Sequence, residues 1–156
     1  MLETTDQQMR AAAQLRWGST WKLVGLTFIT LGLYTGFFAV DQGRSLNSIL
    51  PSNRKISDRL LLLVLNLQIA AVALFFPYIF FPEGHWIEPI SDAVDLAAGV
   101  ALIVWGFSMR SRINDVLGDE SGFFVTGSGF LTFFLSPMYF NYKINQYCST
   151  RSIHSA

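Results

Sequence analysis

The side chains able to do chemistry in this 156-residue chain are few and loosely placed. His85, Glu88, Asp92 and Asp95 make up its cluster of potential metal ligands. Glu88, Asp92 and Asp95 stand at i, i+4 and i+7, where carboxylates on a continuous helix share a face and could hold a divalent cation. Pro89 interrupts that spacing, and a plainer role fits better. Asp92 would be the N-cap of a helix with Asp95 three residues on, both favoured at the positive helix end. No metal and no cofactor is therefore expected. His154 is the other histidine, Cys148 is the single cysteine, and neither G-x-S-x-G nor H-E-x-x-H occurs. The chain reads as non-catalytic, and Cys148 as a passive thiol rather than an acylation site.

The remaining polar candidates lie inside apolar sequence. Asn66 and Gln68 sit within a long uncharged run. Amide side chains in lipid usually turn toward a partner helix and are worth roughly 0.6–2 kcal/mol as interhelical hydrogen bonds. Asn66, Ala70, Ala73 and Pro77 fall on one helical face, and Ala93, Ala97 and Ala101 repeat every fourth residue, a spacing that lets helices approach closely. These residues are helix-packing candidates, with Asn66 and Gln68 the alternative lining of a solute path. No ionisable residue lies deep in an apolar run, which weakens a proton-coupled transporter.

The elements that must carry these residues are set by composition. The chain is 51% hydrophobic and 14% charged, with a mean hydropathy of +0.38. Soluble domains carry about a quarter charged residues. Eleven basic against eleven acidic residues give no cationic excess, so nucleic acid is not an expected partner. Charges divide the chain into uncharged runs at 23–40, 60–82, 96–109 and 121–142, the third reaching back to residue 90 if Asp92 and Asp95 lie at the interface. A hydrocarbon core of about 30 Å needs roughly 20 helical residues. The expected fold is all-α: one polytopic helical membrane domain, 1–156, with membrane segments at 22–47, 58–82, 90–110 and 122–146. Residues 1–21, with Arg16, Trp17 and Trp21, suit an interfacial segment; residues 147–156 form a tail.

Basic residues decide how the segments cross. With four full crossings they divide five against six between the two sides, which gives no orientation. If segments 22–47 and 122–146 are instead re-entrant or broken, all eleven face the cytoplasm and the loop after residue 82 is the external one. Two features favour that arrangement. Gly32 and Gly36 stand in the middle of the first segment, and Gly127, Gly129 and Pro137 interrupt the last. Two full spans flanked by two re-entrant or broken segments, with both termini cytoplasmic, is the preferred topology.

A short pattern recurs where apolar runs end: Arg44-Ser45-Leu46-Asn47, Arg112-Ile113-Asn114 and Lys143-Ile144-Asn145. A cation near the negative helix end followed by Asn suits a helix terminus. The run Thr30-Leu31-Gly32-Leu33-Tyr34, the exit at Asn47, and the ending Pro137-Met138-Tyr139 through Lys143-Ile144-Asn145 resemble an uncharacterised family of small bacterial membrane proteins. That family opens on I-T-L-G-[IL]-Y and, in part, ends on Y-K-I-N. This chain departs from it at Thr35-Gly36-Phe37-Phe38 and at Asp41. The resemblance implies a bacterial inner-membrane protein and carries no activity with it. The expected function is an accessory or scaffold subunit in the lipid bilayer that binds itself or other membrane proteins; the alternative is an oligomeric channel or small-solute carrier.

Overall fold

A computed structural model describes residues 18–80, 86–117, 138, 141–142 and 144–146. The described residues form helices and turns, with no strand. In chain order these are α1 (Thr20–Ile29), α2 (Leu33–Ile49), a 3-10 turn (Ser52–Arg54), α3 (Asp58–Phe80) and α4 (Ile87–Leu117). Met138, Asn141, Tyr142, Ile144, Asn145 and Gln146 are helical too; the rest of the expected 122–146 segment lies outside the described residues.

Helix α3 starts at a polar cap. The Ser57 carbonyl accepts the N–H groups of Leu60 and Leu61, and Asp58 sits at the positive end of the helix dipole. Pro77 lies inside α3 and has no N–H to give the carbonyl four residues back, that of Ala73.

Helix α4 corrects the expected cap. It begins at Ile87, five residues before Asp92, and Pro89 is accommodated because first-turn N–H groups have no helical acceptor. Asp92 and Asp95 are exposed residues within the helix, and Glu88 occupies its first turn. The third expected segment, 90–110, is thus longer at both ends. Asn114 lies before the end of α4 at Leu117 and does not terminate it.

Among the described residues, α3 and α4 make the most extensive contact and form a helical hairpin. Both are long and apolar enough to cross a membrane. Of their most apolar windows only 17% and 28% is buried within the protein, whereas a core helix of a soluble domain would be mostly covered. Phe76, Ile79, Phe80, Leu96 and Val100 are among the large side chains left exposed on this pair.

The core gathers toward one end of the hairpin. From α3 it takes Leu61 and Val64, in the first third of the helix, and from α4 chiefly Ala101, Trp105, Met109, Ile113 and Val116. Leu23 of α1, Phe38, Ala39 and Leu46 of α2, Leu50, Ile56 and Ile144 complete the same cluster. Phe38 meets Trp105 edge-on, with ring centroids 6.5 Å apart. At the opposite end, Phe75 to Phe80 are half-buried or exposed.

Glycine brings α2 onto α3. A Cβ on Gly36 would stand 3.1 Å from Gln68 Cβ and 3.3 Å from the Leu65 Cα, and one on Gly43 would run into the Leu61 methyls. Gly32, Gly36, Ala39 and Gly43 fall at i, i+4, i+7 and i+11, so one face of α2 lacks bulk along its whole contact.

Side chains then fix the loop beyond α2. Asn47 Nδ2 donates to the Ile56 carbonyl (2.9 Å) and Asn47 Oδ1 accepts the Ile56 N–H (2.7 Å). Asn47 therefore staples the loop to the helix flank, and α2 continues to Ile49 rather than ending at this residue. Arg54 pairs with Asp115 at 2.6 Å, and Arg112 Nε donates to the Arg54 carbonyl at 2.9 Å. The ion pair is about half exposed (56% and 39%) and contributes little energy, but with Arg112 it sets the loop against the end of α4.

Candidate functional site

The one place where the described helices break inside apolar sequence is Thr30-Leu31-Gly32. Its hydrogen bonds explain each residue type. The Gly32 N–H donates to the Thr27 carbonyl and the Leu31 N–H to that of Phe28, the paired bonds of a Schellman helix end. That ending requires left-handed backbone: φ is +52° at Leu31 and +89° at Gly32. Glycine adopts it freely, while leucine gives up roughly 1–2 kcal/mol.

Thr30 and Thr35 offset that strain. Thr30 Oγ1 donates to the Leu26 carbonyl (2.7 Å) and accepts the Tyr34 N–H (3.0 Å), so one hydroxyl closes α1 and caps α2. Thr35 Oγ1 donates to the Gly32 carbonyl (2.6 Å). The Leu33 N–H donates to the Thr30 carbonyl. The break thus satisfies its freed backbone groups largely within residues 26–35, as an apolar surrounding demands.

Its level follows from α3. A Cβ on Gly32 would lie 3.5 Å from Gln68 Oε1, so the break stands at the level of Gln68. Gln68 is ten residues beyond Asp58, about 15 Å along the helix and close to its middle. The break, with Tyr34, Thr35 and Gln68 around it, is a polar node beside the middle of α3.

The sequence-predicted residues distribute around this node. Thr30, Leu31, Gly32, Leu33 and Tyr34 build it, and Gln68, 8% exposed, packs on it. Asn66 is exposed on another side of α3, because two helical residues point about 200° apart. Ala73 is exposed on the same outer side, with Ala70 and Pro77 half-buried. Ala93 and Ala97 are exposed on α4 while Ala101 is buried, since a four-residue repeat drifts about 40° per step around the helix.

Two asparagines near the C-terminus tie distant chain together. Asn145 Nδ2 donates to the Gly18 carbonyl (3.1 Å), as does Asn141 Nδ2 (3.2 Å), which also reaches Thr20 Oγ1 (3.1 Å). Ile144 between them is buried. Asn47 and Asn145, two of the three copies of the recurring pattern, thus bind the backbone of another segment. Pro137, Tyr139, Lys143, His85 and Cys148 lie outside the described residues. Gly36, Gly43 and Asn141 carry more of the packing than the sequence reading assigned them. The small-residue spacing that starts at Gly32 was the available signal for the two glycines.

Among the described residues no three His, Cys, Asp or Glu side chains are grouped to hold a metal. The family described as a domain of unknown function (DUF4234) matches residues 18–115, well over half of the chain. The chain belongs to that family. The DUF4234 match opens at Gly18, the acceptor of Asn141 and Asn145, and closes at Asp115, the partner of Arg54. It therefore takes in the break beside α3, the α3/α4 hairpin and the stapled loop. No curated protein and no solved structure matches the chain.

Proposed function

We propose that this DUF4234 protein is a non-catalytic subunit of the bacterial inner membrane that assembles with a second copy of itself, or with another membrane protein, through the outer face of α3. One observation carries the reading. Asn66 is exposed, 12 Å or so along α3 by helical rise, on a strip with Leu62, Ile69, Ala73 and Phe76. An amide facing hydrocarbon is costly without a partner. Asn both donates and accepts, so two copies can satisfy each other across a two-fold axis. The exposed Ala73 nearby leaves room for close approach.

The reading includes an orientation. The hairpin gathers Arg54, Lys55, Arg59, Arg110 and Arg112 toward one end, and no Lys or Arg occurs between Arg59 and Arg110, which supports that end as cytoplasmic. Segments 22–47 and 122–146 are taken as re-entrant. Support comes from the break beside the middle of α3, from the gathering of the core toward the basic end, and from Leu23 of α1 belonging to that core.

Asn66→Leu should abolish the cross-linked dimer in membranes, or raise its dissociation constant about three- to thirty-fold, the range one interhelical amide bond supports. The fold should persist, because Asn66 packs outward. A dimer of unchanged strength would remove the scaffold reading. A conduit would instead keep its oligomer and lose solute flux in liposomes.

A further inference from the structure

A second feature lies along α2, apart from the Asn66 face. It is a cleft of about 450 Å³, a size usual for small-molecule sites, lined among the described residues by Tyr34, Phe37, Phe38, Val40, Asp41 and Arg44. The lining is ordered along the helix. Phe37, Phe38 and Val40 make an apolar wall, with Phe38 and Val40 buried and Phe37 half exposed. Asp41 follows directly and Arg44 stands beyond it. Both are exposed, and neither forms an ion pair with the other or with another described residue.

By helical rise, Asp41 is about 6 Å along the axis from Phe37, and Arg44 about 4.5 Å further. Residues three apart on a helix have Cβ atoms about 5–6 Å from each other. Asp41 and Arg44 therefore share a side of α2, and both can turn toward one small ligand. That ligand must bring an apolar group, a cation and an anion within a short reach. An α-amino acid with an apolar side chain does so, because a single carbon joins all three groups. A fatty acid lacks the cation and an alkylamine lacks the anion. A zwitterionic phospholipid carries its phosphate between acyl chain and cation, the reverse of the order along this lining.

We propose that this cleft binds a free α-amino acid with an apolar side chain. Asp41 accepts hydrogen bonds from the ammonium. Arg44 takes the carboxylate, as planar guanidinium groups favour. The side chain lies along Phe37, Phe38 and Val40. A peptide presents its N-terminal ammonium without an adjoining carboxylate, so the free amino acid is the matching form. The site is independent of the self-association assigned to Asn66.

The test follows L-leucine binding to the full chain in detergent by saturation-transfer NMR, with empty micelles as the blank. Isocaproate is leucine without the ammonium, and isopentylamine is leucine without the carboxylate. Each should bind about three- to tenfold more weakly than L-leucine, the range one exposed charge-assisted contact supports. Asp41→Asn should weaken L-leucine by the same factor and leave isocaproate unchanged. Arg44→Gln should weaken L-leucine likewise and leave isopentylamine unchanged. Both residues are exposed, so circular dichroism should show the fold intact in each variant. Asp92→Asn, an exposed carboxylate on α4, should change nothing. Absence of L-leucine binding to the unmodified chain would overturn the proposal, as would equal affinity for L-leucine and isocaproate. So would an Asp41→Asn chain that loses L-leucine and isocaproate alike, the result a merely structural carboxylate gives.

Discussion

Gly36→Leu will separate α2 from α3 and unfold the protein at a detergent strength the unmodified chain withstands. A side chain at this position must enter space held by Gln68 Cβ and Cγ and by the Leu65 backbone, at 3.1–3.3 Å from the first added carbon alone. The Leu65 Cα cannot move without moving α3. Overpacking of this kind costs about 3 kcal/mol, the upper end of the usual range. Gly36→Ala should cost about 1 kcal/mol, the lower end. Gly99→Leu is the control: nothing lies within 4 Å of a Cβ there, so its stability should match the unmodified chain. Circular dichroism during titration with a denaturing detergent reads all three. Equal stability of Gly36→Leu and Gly99→Leu would mean that α2 does not lean on α3 as described.

Thr30→Val carries the second large effect. Valine keeps the shape of threonine and removes the one hydroxyl that both donates to the Leu26 carbonyl and accepts the Tyr34 N–H. The Leu26 carbonyl still receives the backbone N–H of residue 30, but the Tyr34 N–H is left without its acceptor. Loss of this part-buried hydrogen bond should cost about 1–3 kcal/mol. Thr30→Ser keeps the hydroxyl and should stay within about 0.5 kcal/mol of the unmodified chain. Hydrogen exchange at the Tyr34 amide separates this cause from general loosening: it should accelerate in Thr30→Val and not in Thr30→Ser.

How much of this was readable beforehand depends on which physics set each feature. The two long helices were legible because hydropathy and length alone decide them. So was the interruption at Thr30-Leu31-Gly32, since a central glycine marks where left-handed backbone is cheap. The start of α4 differs from expectation because Pro89 suggests a barrier and Asp92 a cap. Proline is harmless in a first turn, and the apolar Ile87 could already begin the helix. The asparagines differ from expectation in the same direction. Local sequence suggested caps, whereas Asn47 reaches Ile56, nine residues on, and Asn145 reaches Gly18 at the far end of the chain. Such long-range partners leave no local trace. Asn66 and Gln68 were grouped by chemistry, but a helix turns about 200° between them, and only packing tells which faces inward. The roles of Gly36 and Gly43 are present in the spacing, although Gly36 reads first as a helix breaker and Gly43 carries no expectation of its own.

The proposed topology has the first segment turn back beside the middle of α3 rather than cross. Two thiols decide this. Thr5→Cys and Ser52→Cys, each placed with Cys148→Ser because Cys148 is the single native cysteine, stand before and after that segment, the second in the exposed 3-10 turn. With re-entrant segments at 22–47 and 122–146, both positions face the cytoplasm, and a membrane-impermeant maleimide labels each only after the cells are permeabilised. Labelling of one in intact cells and of the other only after permeabilisation would place them on opposite sides, as four full crossings require, and would contradict the account.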